Sequence, residues 1–313
     1  MTTHSLKGIL SKITSIQNQI TLDKIRQASR SQAAFTDLQE SVHAQITHLG
    51  EGIERVLIED DLTAGDLAIR SRRGFQWLKF LSNPESLSAH LDALQRINLH
   101  LAGARRRKFR DMQVTLYHQG SLYKVQHDQG QRKLTAQESF ISAPDSILNA
   151  LIAVAVDPSS KDSRLALREY TFTKEYQQLR KRLEYLGVPP GSFAAGEIHH
   201  LNDSFQRVNR EYFQGKLDRP HLAWSRRLTR RKFGHYQWDT DTVMISRTLD
   251  QEWVPEMAVD FVVYHELLHK KLGARRARTN RIAHTREFRE AENLFAQAEE
   301  AKQLLDWIAR KSA

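Results

Sequence analysis

The sequence predicts an α+β protein, with a mainly helical first region followed by a small sheet packed on a long helix. Three observations predict it. Apolar residues recur at helical spacing through residues 1–103. After residue 111 the pattern switches to apolar–polar alternation around Gln119-Gly120. From residue 217 onward, three short strand-like runs precede one strongly apolar helical stretch.

Ile9, Ile13, Ile16 and Ile20 recur at spacings of four, three and four, one stripe of a helix. Leu38, Val42, Ile46, Leu49, Ile53 and Val56 form a second stripe. Asp66 to Leu81 and Ser86 to Leu101 read as two more helices, separated at Asn83-Pro84. The stripes are short for a long coiled coil, so they suit a small helical bundle, with a dimerising arm as the alternative use. ARRRKFRD (104–111) is a basic run, and MQVTLYHQGSLYKVQH after it reads as a β-hairpin. Ser142 to Val156 is an apolar helix with Pro144 near its start. DPSSKDS (157–163) is a turn, Arg164 to Leu186 is helical, and GVPPGSFAAG (187–196) is a loop. A helix over about 197–213 ends at Gly215. HLAWS (221–225), FGHYQW (233–238) and TVMIS (242–246) read as strands, the last two joined by Asp239-Thr240-Asp241. Pro255 starts a helix that stops at Gly273, an Arg-rich loop follows, and His284 to Leu305 is a final amphipathic helix. The expected regions are therefore a helical 1–103, a hairpin-plus-helix lead-in over 104–196, and a C-terminal domain over 197–313.

The chain has 313 residues and is 40% hydrophobic, enough to build a packed core. It contains no cysteine, which excludes disulfides, thiolate zinc ribbons and cysteine nucleophiles and fits a reducing compartment. No run approaches the roughly 20 apolar residues that span a bilayer, and MTTHSLKGILSKITSIQ has no apolar core of signal-peptide length. The expectation is a cytoplasmic protein with no membrane segment. Its net charge of +10 favours nucleic acid or another polyanion as partner, against the plainer reading of a solvated basic surface.

VDFVVYHELLHKKLG (259–273) carries the chemistry. His265 and His269 are four apart, so on a helix they sit one turn above each other on one face. Two imidazoles so placed can grip one tetrahedral zinc, and Glu266 beside them can take a proton from an activated water. With 14 histidines in the chain, the five-residue motif alone is a moderate signal. Its context strengthens it. Met257, Phe261, Val262, Val263, Leu267, Leu268 and Leu272 make the helix apolar elsewhere, and buried histidines need partners. The plainer reading is two core histidines bonded to backbone carbonyls. A third ligand is required for a catalytic site. The metzincin pattern fails, because Leu272 and Arg275 stand where it needs Gly and His. Glu287 and Glu290 are carboxylate candidates on the next helix. His284 is the better one, because it opens that helix and fifteen residues of loop can bring it back across the metal. A surface histidine near a helix start is the plainer reading there.

These residues resemble a known family. VVYHELLHKKLG, followed fifteen residues after His269 by HTREFR, is similar to the SprT-like zinc metalloprotease domain shared with the eukaryotic Spartan-type DNA-dependent proteases. FQRVNREYFQGKL (205–217), AWS (223–225), GHY (234–236) and MIS (244–246) resemble that family's helix and three strands before the metal helix, so the resemblance covers about 200–295. APDSILNAL (143–151) also resembles the lead-in of some bacterial relatives. The resemblance implies a zincin-like fold, a small sheet packed on the HExxH helix. It implies that His265, His269 and His284 bind Zn2+, that Glu266 is the general base, and that a protein substrate undergoes peptide-bond hydrolysis. Two features depart from the family. The cysteine zinc ribbon that many members carry is absent, and the helical region 1–103 is extra and matches nothing.

Tyr264, His235 and Tyr236 are candidates to hold the oxyanion, each with a packing role as the plainer reading. The strand FGHYQW can also pair with an extended substrate, by analogy with other edge strands. Two basic clusters flank the motif in sequence. The first is Arg226, Arg227, Arg230, Arg231 and Lys232; the second is Lys270, Lys271, Arg275, Arg276, Arg278 and Arg281. Such clusters neutralise phosphates, and Trp224, Phe233, Tyr236 and Trp238 lie among them as stacking candidates, although core packing suits most of them. No sequence-reading motif is present, so the expected contact is with the DNA backbone and not sequence-specific. The leading expectation is a zinc metalloprotease acting on DNA-associated or DNA-crosslinked proteins. The alternatives are a nucleic-acid-binding scaffold with a structural zinc, and a zinc hydrolase acting on something other than peptides. Oligomeric state is not readable from the sequence.

Overall fold

A computed structural model describes residues 6, 8–103, 112–128, 131–188, 191–225, 228–229, 231–273, 275–276, 281–282 and 284–311. The chain forms two compact units, Met1–Pro189 and Pro190–Ala313. One apolar cluster runs from Ile9 to Leu183 and a second from Ala194 to Ile308. The stretches 1–103 and 112–183 thus contribute to the same core. The basic run 104–111 lies outside the described residues. Among the described residues no helix is long and apolar enough to cross a membrane.

In the first unit the Ile9–Ile20 stripe is split. Helix α1 (Ile9–Gln17) ends at Asn18, and α2 (Leu22–Ala28) starts at Thr21, whose hydroxyl accepts from the Lys24 N–H at 3.4 Å. Ile20 stays buried in the connection. Helix α3 (Gln32–Glu59) buries Val42, Ile46 and Ile53, but Val56 is 41% exposed and Leu57 takes the inward position. Helix α4 (Ile69–Leu81) and α5 (Pro84–Gly103) follow, with Pro84 at the first helical position as its sequence position suggests.

The expected hairpin over 112–127 does not form. Strands β1 (Met112–Tyr117) and β2 (Tyr123–Asp128) are separated by β3 (Gln131–Gln137), giving the order β1-β3-β2. β1 pairs with β3 in parallel and β2 pairs with it antiparallel. Polar side chains hold the crossover to the central strand: Gln119 Nε2 donates to Thr135 O at 2.9 Å, and Gln137 Nε2 donates to Gln119 O. β3 was missed because its two ends are polar and only Leu134 and Ala136 mark its apolar centre.

Helix α6 (Asp145–Val156) follows Pro144, as expected. The single helix expected over 164–186 is two, α7 (Lys161–Tyr170) and α8 (Lys174–Tyr185). Thr173 caps the second by accepting from the Tyr176 N–H at 3.3 Å, the kind of competing bond that ends one helix and starts another. The first unit keeps a fully buried carboxylate: Glu138, just after β3, accepts from Trp77 Nε1 at 2.9 Å and lies 2.7 Å from His90 Nδ1.

The second unit opens with α9 (Leu201–Tyr212), and Gly215 (φ 68°) reverses the chain after it. Strands β4 (His221–Trp224), β5 (Gly234–Gln237) and β6 (Thr242–Ile245) take the order β4-β6-β5, with β4 parallel and β5 antiparallel to β6. The β5–β6 turn ends at Asp241 in the left-handed region (φ 50°). Helix α10 (Glu256–Leu272) then crosses the sheet, opened by Pro255 and ended by Gly273 (φ 66°). Arg207 of α9 grips Asp260 of α10 with two bonds, 2.8 and 2.9 Å, which fixes the helix lengthwise. Asp250, between sheet and helix, accepts three backbone N–H groups, from Glu197 at 2.7 Å and from Ile198 and His199 at 3.0 Å each.

The Arg-rich loop includes two short paired strands, β7 (Arg275–Arg276) and β8 (Arg281–Ile282). The single final helix expected from His284 to Leu305 is again two, α11 (Arg286–Glu292) and α12 (Ala298–Arg310). The break turns Phe295 inward among Tyr212, Phe261 and Tyr264, with ring centroids 5.1–5.5 Å apart, while Leu294 faces solvent.

A three-histidine candidate metal site

Helix α10 is buried along Ala258, Val259, Phe261, Val262, Val263, Leu267 and Leu268, so its orientation is set by the core. His265 and His269 occupy the less buried face, one turn apart. His284 reaches the same point from just before α11, whose start is fixed by the Thr285 hydroxyl accepting from Phe288 N–H at 3.2 Å. The three Nε2 atoms form a triangle with every side 3.2 Å. Metal–nitrogen bonds of about 2.0–2.1 Å at tetrahedral angles separate two ligand nitrogens by about 3.3 Å. The triangle therefore fits one tetrahedral ion with its fourth position open. Among the described residues these three are the one cluster able to hold a metal.

Burial pushes the His269 imidazole down to about 4, helped by the neighbouring His265, His284 and His235. His284 is also lowered, by burial first and then by His265. Both are thus neutral at neutral pH, the form in which imidazole binds a metal. Behind them the buried Phe288 ring lies 5.0, 4.5 and 4.9 Å from the rings of His265, His269 and His284.

Glu266 is 5% exposed, and burial pushes its carboxyl above the usual range. His265 and the backbone N–H of Tyr236 pull the other way. Strand β5 lies close beside it at Gly234: a Cβ there would overlap Glu266 Oε1 and come 2.7 Å from Val262 Cγ1. Only glycine permits that approach. The arrangement is a face able to hold a metal ion, with a buried carboxylate next to it.

Residues 201–304 match the model of the SprT-like family. This part of the chain is a SprT-like domain. The match points to a metallopeptidase-type domain and covers about a third of the chain. No curated protein and no solved structure matches the chain.

Within the SprT-like domain the other candidates divide. Glu287 and Glu290 are exposed, and Glu290 pairs with Arg286 at 2.7 Å, so neither enters the metal cluster. Tyr264 points its hydroxyl away, to Ala291 O at 2.5 Å, and burial raises it to about 12. The Tyr236 hydroxyl is engaged by Asp241 at 3.1 Å, and burial raises it. His235 lies on β5, and partial desolvation of its ring followed by the charge of Lys232 lowers it. Of the basic residues, Arg231, Lys232 and Lys271 are exposed. Lys270 is not free: it donates to Asp241 at 2.6 Å. Lys271 Nζ lies 5.1 Å from the Phe213 ring. Arg275 and Arg276 lie on β7 and Arg281 on β8, while Arg226, Arg227, Arg230 and Arg278 fall outside the described residues. Trp224 is a core residue, donating from Nε1 to Ala194 O at 3.1 Å, and Phe233 and Tyr236 pack against the same core.

Sequence reasoning missed Gly234, Phe288 and Glu292. Glu292 Oε1 lies 2.6 Å from His265 Nδ1, and that bond, against the effect of burial, holds the Glu292 carboxyl below the usual range. The spacing of four between Phe288 and Glu292 puts both on one face of α11, a signal that becomes readable only once Phe288 is known to face the histidines.

Proposed function

We propose that the chain is a zinc-dependent peptidase acting on proteins bound or crosslinked to DNA. One observation carries the catalytic part: the 3.2 Å triangle of Nε2 atoms with buried Glu266 adjoining it on the same helix. His265, His269 and His284 would hold the zinc. When bound, the metal supplies Lewis-acid polarisation to the scissile carbonyl and to the attacking water. The chain supplies the rest. Glu266 accepts the water proton on a carboxylate oxygen and hands it to the departing amine nitrogen. Burial raises its carboxyl above the usual range, which makes it a stronger proton acceptor than a surface carboxylate. The outer edge of β5, which runs past Glu266, offers backbone groups to an extended peptide. Support for the DNA-associated substrate is the charge of +10 with Arg231 and Lys232 exposed just before β5.

The test compares wild type with Glu266→Gln on a DNA-binding protein, with and without single-stranded DNA. The variant is expected to retain zinc and to lose about 10²–10⁴-fold in cleavage rate, and DNA is expected to accelerate wild type. DNA binding without cleavage by wild type under either condition would favour the scaffold reading. Cleavage that ignores DNA would remove the substrate part alone.

A further inference from the structure

We propose that Glu292 is a positioning residue for the metal site, fixing His265 in its ligating orientation. Through Lys302 the last helix α12 becomes part of that site. The inference rests on the metal reading above. If His265 presents Nε2 to an ion, its proton must sit on Nδ1, and Nδ1–H needs an acceptor. Glu292 Oε1 lies there, 2.6 Å away, on the side of the ring opposite Nε2. That placement excludes Glu292 as a ligand to the same ion and makes it the group that sets the tautomer and the ring plane.

The carboxylate is itself held. Its other oxygen, Oε2, lies 3.4 Å from Lys302 Nζ, which also donates to Asn293 Oδ1 at 2.9 Å. The backbone beside it is tied too: Tyr264 OH donates to Ala291 O at 2.5 Å. Two successive residues of α10, Tyr264 and His265, thus grip two successive residues of α11, Ala291 and Glu292. Glu292 is 17% exposed and His265 24%, so the bond is partly shielded from water and keeps more strength than a surface pair. A carboxylate so placed also raises the basicity of the ring toward the metal.

The experiment measures zinc affinity of the full chain by competition with a chromogenic chelator, and the visible spectrum of the cobalt-substituted protein. Glu292→Gln is expected to weaken zinc binding about 10–100-fold and to shift the cobalt bands, while the metal-free protein keeps its circular dichroism and Tm. Asp306→Asn, an exposed change on α12, is the control expected to alter neither. Unchanged affinity and spectrum in Glu292→Gln, with wild type binding zinc normally, would overturn the positioning role and leave the metal reading standing. A wild type that binds no zinc would overturn both. Should Glu292→Gln fail to fold, Lys302→Gln carries the test, since it keeps the His265 bond and removes the second hold. About a twofold or greater loss is expected, and no loss would overturn the proposal.

Discussion

The first unit runs α5, β1, β2, β3, a 3-10 turn (Glu138–Phe140) and α6; the second runs α9, β4, β5, β6, a 3-10 turn (Arg247–Leu249) and α10. In both sheets the third strand is central, parallel to the first and antiparallel to the second. In both, the closing helix begins fourteen residues after the third strand begins, Gln131 to Asp145 and Thr242 to Glu256. That helix packs on its sheet and on the helix before the sheet, α5 with α6 and α9 with α10. The contents differ. Counted from the proline that opens each helix, His265 and Glu266 of α10 stand where α6 has Val154 and Ala155. Helix α6 is apolar through its second half, and the unit keeps its buried carboxylate at the strand end, Glu138, satisfied by Trp77 and His90. Helix α10 carries its carboxylate mid-helix beside three imidazoles. The frame therefore does not determine function. What sets the second unit apart is which residues the closing helix presents and the one imidazole, His284, that the segment opening α11 brings to meet them.

The largest expected effect is in the first unit. Glu138→Ala leaves Trp77 Nε1 and His90 buried without their acceptor and should cost about 3–5 kcal/mol in chemical denaturation, with zinc affinity unchanged. A parallel loss of zinc binding would contradict the separation of roles.

Gly234→Ala tests the close approach of β5. Its Cβ has no room against Val262 and Glu266, so stability should fall by about 1–3 kcal/mol and cleavage by more than that loss explains. Gly120→Ala in the first unit is the counterpart. Its Cβ would meet only the movable end of Arg73, 2.7 Å from Nη1, and should change little.

Asp250→Asn should cost about 1.5–3 kcal/mol, because a charged acceptor for three backbone N–H groups is replaced by a neutral one. Burial acts to raise the Asp250 carboxyl, but the three N–H groups and Arg247 outweigh it, and the group sits below the usual carboxylate range. Its contribution is present above the unfolded value of about 3.9 and is lost as pH falls through the lower folded value. The stability gap between wild type and variant should therefore close in acid. A gap that stays constant to the acid end would show that the charge is not what matters. The smallest effect is expected for Lys270→Gln, about 0.5–1 kcal/mol for a partly buried pair; a strong loss of DNA binding in this variant would return Lys270 to the nucleic-acid face.

Much of the second unit was readable in the sequence, for a physical reason. Its strands are short, β4 and β6 are apolar, Pro255 and Gly273 bracket α10, and residues 265–269 lie within one helix, where spacing alone determines which side chains meet. What was missed depended on pairing across the chain. β3 has polar ends, so its insertion between β1 and β2 left no local mark. The breaks at Thr171–Thr173 and Asn293–Gln297 come from a cap and from Phe295 turning inward, both of which override helical periodicity. Gly234 and Glu292 matter through residues 32 and 27 positions away, contacts that no local pattern encodes.

Two imidazoles from α10 and one from the segment just before α11 are proposed to make one metal site. Its most direct test is the zinc content of the purified full chain by elemental analysis, for wild type and for His265→Ala/His269→Ala. One zinc per wild-type chain is expected and none in the double variant, with the first unit still folded. A wild type without zinc, or a double variant that keeps it, would rule out a zinc site at these histidines.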